Sequence, residues 1–179
     1  MCDIETGRLA LKRLTTDDAA FMLDLLNQPS FIQNVGDRGV RTLAQAQAYI
    51  ANGAVASYAR HGFGLYLVAV KETGEAAGIC GLVRREGLEH VDIGFAFLPQ
   101  HWGKGYAVES AAAVKAYARD VVGLTRLVAI TTPGNWPSIR VLEKIGLAFE
   151  KTVRLSPDGE ELKLFSCDLS PSAAPAGPR

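Results

Sequence analysis

The chain has 179 residues, 48% of them hydrophobic, and its 19 basic and 19 acidic side chains leave a formal net charge of zero. That length supports one ordinary core and one domain, and the balanced charge removes the electrostatic case for a nucleic-acid binder. Cys2, Cys80 and Cys167 show no metal-ligand spacing, no run approaches the roughly 18 apolar residues of a membrane span, and the N-terminus lacks a signal-peptide apolar region; free thiols in a cytoplasmic protein without metal or membrane are expected.

In chain order, Arg8 to Leu14 alternates as an edge strand, and Thr16 is placed to cap a helix from Asp17 to about Asn27. Residues 28 to 41 read as irregular, after which Thr42 caps a second helix through about Arg60. Leu65 to Lys71 and Ala77 to Arg84 read as two strands joined by a loop containing Gly74. His90 to Leu98 follows as a strand, and a helix from Lys104 to about Val121 crosses over to a strand at Arg126 to Thr131. A crossover of that length lets the two strands lie parallel and adjacent with a right-handed connection. Ile139, Leu142 and Ile145 recur at helical spacing after Pro137, and Gly146 supplies the stop. Phe149 to Leu155 and Glu161 to Leu169 form a last hairpin around Ser156-Pro-Asp-Gly159. Residues 1–169 are thus expected to be one domain, and the Pro-, Ala- and Ser-rich residues 170–179 a flexible tail.

The segment Phe97-Leu-Pro-Gln-His-Trp-Gly-Lys-Gly-Tyr-Ala107 carries the first chemical signal: a strand breaks at Pro99 into a glycine-containing loop that opens an alanine-rich helix. The first N–H groups of a helix have no intrahelical partner, and the peptide dipoles add partial positive charge there, so a pyrophosphate can be held without cationic side chains. A P-loop is disfavoured because Tyr106 follows Gly105 and no Gly-Lys pair is followed by Ser or Thr. A dinucleotide fingerprint is disfavoured because Val108 stands where its third small residue belongs. An ordinary strand-to-helix connection remains the plain alternative. The second signal is Asn135-Trp-Pro-Ser138-Ile-Arg-Val-Leu-Glu143-Lys-Ile-Gly146-Leu, a short helix entered from a strand.

Together these segments resemble the GNAT N-acetyltransferase superfamily, within it the branch of ribosomal-protein N-terminal acetyltransferases, over about residues 5 to 155. The family's acyl-CoA loop, (Gln/Arg)-x-x-Gly-x-(Gly/Ala), falls on Trp102-Gly-Lys-Gly105-Tyr-Ala107, with Trp102 departing from the pattern; a register on Gln100-x-x-Gly103-x-Gly105 also fits the letters. The resemblance implies an α/β (α+β) fold, with a mixed sheet of about seven strands, flanking helices and a splayed parallel strand pair that holds acetyl-CoA. It assigns the backbone of Phe95 and Phe97 to the pantetheine arm and the amides of Gly103, Lys104, Gly105, Tyr106, Ala107 and Val108 to the pyrophosphate, with Asn135 contacting the CoA arm or a backbone carbonyl. It makes Ser138 the candidate general acid and Asp92, in Val-Asp-Ile-Gly-Phe, the candidate base.

Each assignment has a structural rival. Phe95 and Phe97 side chains read as core, Asn135 and Ser138 as helix-capping residues, and Asp92 as a strand-end carboxylate paired with Arg or Lys. Glu109, Glu143 and the Arg84-Arg85 strand end read as structural or solvated, and His90 and His101 as surface histidines. The tyrosine acid of some GNAT enzymes is replaced by Leu142, and Ile130 stands where several relatives carry a glutamate. The implied activity is acetyl transfer to a primary amine, either a protein or peptide N-terminus or a small amine, by a monomer or homodimer. The rival of another class is an acyl-CoA-binding regulatory module without catalysis. Phe31, Asp37, Asp158, Glu160 and Glu161 are available near the acceptor entrance, where acidic groups would attract a cationic amine.

Overall fold

The structure is a computed structural model that describes residues 3–170. Eight strands form one sheet in the order β1-β2-β3-β4-β5-β6-β8-β7: β1 Ile4–Glu5, β2 Leu9–Arg13, β3 Leu65–Val70, β4 Ala76–Val83, β5 Asp92–Phe97, β6 Arg126–Thr131, β7 Ala148–Val153 and β8 Leu162–Asp168. The strand expected at the edge, β2, is covered by β1, a two-residue strand too short to show any period in the sequence. The true edges are β1 and β7, because β8 inserts between β6 and β7. All pairings are antiparallel except β5 with β6.

Helices α1 Ala19–Leu26, α2 Pro29–Asn34, α3 Leu43–Ile50 and α4 Ala56–His61 connect β2 to β3; α5 Tyr106–Tyr117 connects β5 to β6, and α6 Trp136–Lys144 connects β6 to β7. Thr42 caps α3 as expected: Gln45 N–H donates to Thr42 Oγ1 at 3.2 Å and Thr42 N–H to Gln45 Oε1 at 3.1 Å. The single helix expected from there to Arg60 is interrupted by a π turn at Ala51–Val55, around Gly53. Thr15, rather than Thr16, starts the preceding element: its N–H donates to Asp18 Oδ2 at 2.8 Å, and a 3₁₀ turn at Thr16–Asp18 leads into α1. The stretch read as irregular contains α2, whose Phe31 is buried and anchors it to the core beneath α1 and α3.

Two apolar clusters sandwich the sheet. One, with Val68, Cys80, Ile93, Phe97, Val114 and Leu127, lies on the α5 side; the other, with Met22, Leu25, Leu26, Phe31, Ile50 and Ile79, lies under α1 to α3. Strand alternation divides β5 between them, sending Ile93, Phe95 and Phe97 toward α5 and Ala96 toward the other layer. Gly78 on β4 fits that register closely: a Cβ there would run into the Ala96 carbonyl and the Phe97 ring. Lys115 on α5 donates to the carbonyl of Ile145 at 2.6 Å, tying α5 to the end of α6.

Cys80 and Cys167 are free thiols, and burial pushes Cys80 up to about 12. Among the described residues no helix is long and apolar enough to cross a membrane. The expected tail lies, from residue 171 onward, outside the described residues.

Candidate active site

The parallel pair β5 and β6 meets only where Asp92 stands opposite Val128, with Val128 N–H donating to the Val91 carbonyl at 3.1 Å. Beyond that point the two strands separate toward their C-terminal ends. Leu98 N–H donates to the Ala77 carbonyl at 2.9 Å, which fixes the antiparallel ladder so that the even-numbered residues of β5 bond to β4. The backbone groups of Phe95 and Phe97 therefore face the opening, while the Phe97 side chain is buried and that of Phe95 packs half-buried against the core. Trp102, the residue that departs from the family loop, donates its indole N–H to the Phe97 carbonyl at 2.9 Å. One lone pair of that carbonyl is thus engaged, leaving the Phe97 N–H and both backbone groups of Phe95 directed into the gap.

The glycine loop sits at the end of β5. Gly103 and Gly105 both have positive φ, at 72° and 79°, and Gly105 is the N-cap of α5. A Cβ at Gly103 would meet open space, so the requirement there is conformational rather than steric. The first intrahelical bond is Glu109 N–H to the Gly105 carbonyl at 3.1 Å, so the N–H groups of Tyr106, Ala107 and Val108 emerge from the helix end without an intrahelical acceptor.

A strap from the turn between β1 and β2 holds this loop, and nothing in the sequence spacing announced it. Arg8 donates through Nη1 to the Lys104 carbonyl at 2.9 Å and through Nε to Glu109 Oε2 at 2.7 Å, with its guanidinium 4.8 Å from the centre of the Tyr106 ring. Glu109 also accepts from Thr6 Oγ1 at 2.6 Å and from the Arg8 N–H at 2.9 Å. Its partial burial opposes ionisation, but these hydrogen bonds outweigh it and hold the carboxyl below its ordinary range. Glu109 thus holds the loop together, in keeping with the structural reading its place in the first turns of the helix suggested. His101, expected at the surface, is instead buried, its ring 6.2 Å from that of Tyr106, because the turn at Pro99–His101 folds it under the loop.

Opposite α5, a cleft of about 690 Å³ opens along β5 and β6 and reaches toward α2 and α4. It brings Asp92 together with Asn135 and Ser138, a motif far from it in sequence, and Ile130 and Leu142 also line it. Asn135 is the N-cap of α6, its Oδ1 accepting from the Ser138 N–H at 3.3 Å. The capping role weighed for it is real, and it is Asn135 rather than Ser138 that performs it. Ser138 is half-buried, and its hydroxyl has no protein partner among the described residues.

Asp92 is 1% exposed, with Oδ2 receiving Arg85 Nε at 3.2 Å and Oδ1 lacking any hydrogen-bond partner among the described residues. Burial raises its pKa despite the opposing pull of Arg85. The Arg85 pairing foreseen as the bland alternative is present, and the strand end that includes Arg84 and Arg85 lines the cleft rather than standing on a purely solvated face. The acidic groups expected to attract the acceptor do not line it. Asp37 is paired with Arg41 at 2.6 Å and Glu161 with Arg154 at 3.7 Å, and Asp158 and Glu160 lie outside the lining; of that set only Phe31 faces the cleft. Arg38, Arg60 and His61 face it too, and sequence reading missed all three because α2 was not foreseen and α4 carries no motif.

The sequence model of the acetyltransferase (GNAT) domain matches residues 8–148. The chain belongs to the GNAT acetyltransferase family. Over 152 residues it is 34% identical to the uncharacterized protein YkkB of Bacillus subtilis, covering 83% of this chain and 87% of that one. A GNAT relative of known structure, an acetyltransferase from Agrobacterium tumefaciens, superimposes with a TM-score of 0.75 at 26% identity, over 92% of each chain. RimL, a ribosomal L7/L12 α-N-protein acetyltransferase solved with coenzyme A, shares the GNAT fold with a TM-score of 0.77 at 18% identity, over 92% of this chain and 96% of its own. The fold expectation holds, with eight strands in place of about seven.

Proposed function

We propose that this N-acetyltransferase moves an acetyl group from acetyl-CoA to the α-amine of a protein or peptide N-terminus, by direct attack in a ternary complex. The observation that carries this reading is Asp92: a buried carboxylate with a raised pKa and an unpartnered Oδ1, set where β5 and β6 part. An α-ammonium has a pKa of about 7.7 to 8, against about 10.4 for lysine, so a carboxylate raised above its ordinary range is better matched to an α-amine than to a lysine side chain.

The loop residues fit acetyl-CoA. The outward N–H groups of Tyr106, Ala107 and Val108, with the positive-φ glycines before them, suit the pyrophosphate, and the exposed backbone edge of Phe95 and Phe97 suits an extended pantetheine arm. Bound there, acetyl-CoA supplies the activated acetyl group. Asn135 fixes the start of α6 beside that arm, and Ser138 supplies a hydroxyl for the departing thiolate. Asp92 binds and deprotonates the incoming amine, while Arg85 orients its carboxylate through Oδ2.

A small amine as acceptor is the second reading, favoured by the cleft volume of about 690 Å³, within the range of small-molecule sites. The test is mass-spectrometric detection of acetyl transfer from acetyl-CoA to a mixed panel of short peptides and small primary amines. Acetylation at peptide α-amines supports the first reading. Acetylation confined to small amines replaces it with the second, and saturable CoA binding without any transfer sinks both.

A further inference from the structure

Most arginines elsewhere among the described residues are paired with a carboxylate, with Arg140, exposed on α6, as the exception. Arg8 pairs with Glu109, Arg13 with Asp3, Arg41 with Asp37, Arg119 with Asp120, Arg126 with Glu150 and Asp168, and Arg154 with Glu161, all within 4.0 Å. The cleft departs from this pattern. Arg38, Arg60 and Arg84 line it without a carboxylate partner among the described residues, Arg84 bonding only to the Glu89 carbonyl at 3.1 Å. The one acidic side chain in the lining, Asp92, is already tied to Arg85.

None of residues 102–108, the loop proposed for the pyrophosphate, lines the cleft, so this positive charge stands apart from that loop. The cleft wall holds one carboxylate, Asp92, whose shielded Oδ1 has no partner among the described residues, and several guanidinium groups without counter-charges. The first calls for an ammonium group, and the second call for a carboxylate or phosphate, which guanidinium forks bind in bidentate fashion. We infer that the acceptor carries an anionic group beside its reactive amine, with the amine at Asp92 and the anion toward Arg38 and Arg60. In a peptide acceptor this means an acidic residue within its first few positions; a free amino acid with an acidic side chain presents the same chemistry. Polycationic amines meet like charge and are turned away. The inference rests on the transferase reading above.

The experiment compares initial acetylation rates for peptides differing only in an acidic, neutral or basic residue near the N-terminus, alongside free glutamate and a polyamine. The acidic peptide is expected to exceed the basic one by about tenfold in kcat/KM, with the gap narrowing as salt is raised. In the double variant Arg38→Gln, Arg60→Gln the advantage of the acidic peptide collapses, mainly through KM. Arg60→Glu shifts preference toward the basic peptide, an inversion that a merely misfolded variant does not produce. Equal rates for acidic and basic peptides, or a preference that survives the double variant, overturn the inference. Glutamate acetylated in preference to every peptide keeps the anionic requirement and removes the peptide reading. If nothing on the panel is acetylated the transferase reading falls, and calorimetric binding of the same peptides decides the inference alone: tighter binding of the acidic peptide upholds it, and equal binding overturns it.

Discussion

At the N-terminus of α5 the outward-facing groups are backbone amides, whereas the acceptor cleft is faced by side chains from the loop after α2, from α4, from the end of β4, from β5 and from α6. The two regions lie at the same opening between β5 and β6 and solve different problems. On the reading proposed above, a pyrophosphate is the same in every acetyl-CoA molecule, so a fixed array of amides would serve it; an acceptor differs between proteins, and replaceable side chains on separate elements can be tuned to it. The comparison predicts that substitutions in the loop act on CoA affinity and that substitutions in the cleft act on transfer.

The largest effect is expected at Asp92. Asp92→Asn keeps the shape and removes the base, and should lower kcat by about 10² to 10⁴ while CoA affinity changes little. Steady-state kinetics with calorimetry checks the split, and an activity loss explained by weaker CoA binding would break the division between loop and cleft. Next comes Gly105→Trp. Gly105 sits at φ 79°, where a residue with a Cβ is strained by about 1–2 kcal/mol, and its Cβ would stand 3.3 Å from Arg8 Nη2. With the indole crowding the amides as well, CoA affinity should fall by about 100-fold or more, a loss of about 2.8 kcal/mol. Ser138→Ala is smaller: about a tenfold drop in kcat with the CoA dissociation constant nearly unchanged, since the α6 cap is made by the Asn135 side chain and the Ser138 backbone.

The same contrast governs what was legible in the sequence. The Thr42 cap and the Ser156–Gly159 turn each depend on a few adjacent residues and were legible from them, and Gly105 was placed by the resemblance of its loop to the family motif; Gly159 N–H does donate to the Ser156 carbonyl, at 3.0 Å. The parallel β5–β6 pair followed from the length of the crossover helix. The covering of β2 by β1 escaped because a two-residue strand shows no period, and the insertion of β8 between β6 and β7 pairs β8 with β6 across a long sequence separation of which local periodicity carries no record. Asp92 was recognisable from its strand, but its orphaned oxygen was not. The unpaired state of Arg38 and Arg60 is likewise a property of which carboxylates other elements bring near, and the acidic residues that composition offered for the entrance, Asp37 and Glu161, are spent on Arg41 and Arg154.

The two carboxylates that flank the opening should respond to pH with opposite sign. Glu109, on the loop side, is held below its ordinary pKa range, so its hydrogen bonds stabilise the folded protein at pH values above that range, and this contribution is lost as pH falls through the folded pKa. Glu109→Gln, which weakens acceptance from Thr6 and Arg8, should therefore cost about 1–3 kcal/mol near neutral pH and progressively less on acidification. Asp92, on the cleft side, is raised by burial, so the folded state retains its proton more firmly than the unfolded chain. Stability from that source is present below the ordinary carboxylate range and declines as pH rises toward and through the folded pKa. Asp92→Asn should then gain thermal stability relative to wild type at neutral pH, by an amount that shrinks as pH is lowered. Thermal denaturation of the three proteins across pH 4 to 8 reads both slopes. If Asp92→Asn is destabilised at neutral pH as Glu109→Gln is, the Asp92–Arg85 pair serves as a structural tie rather than a strained, reactive carboxylate, and the base assignment fails with it.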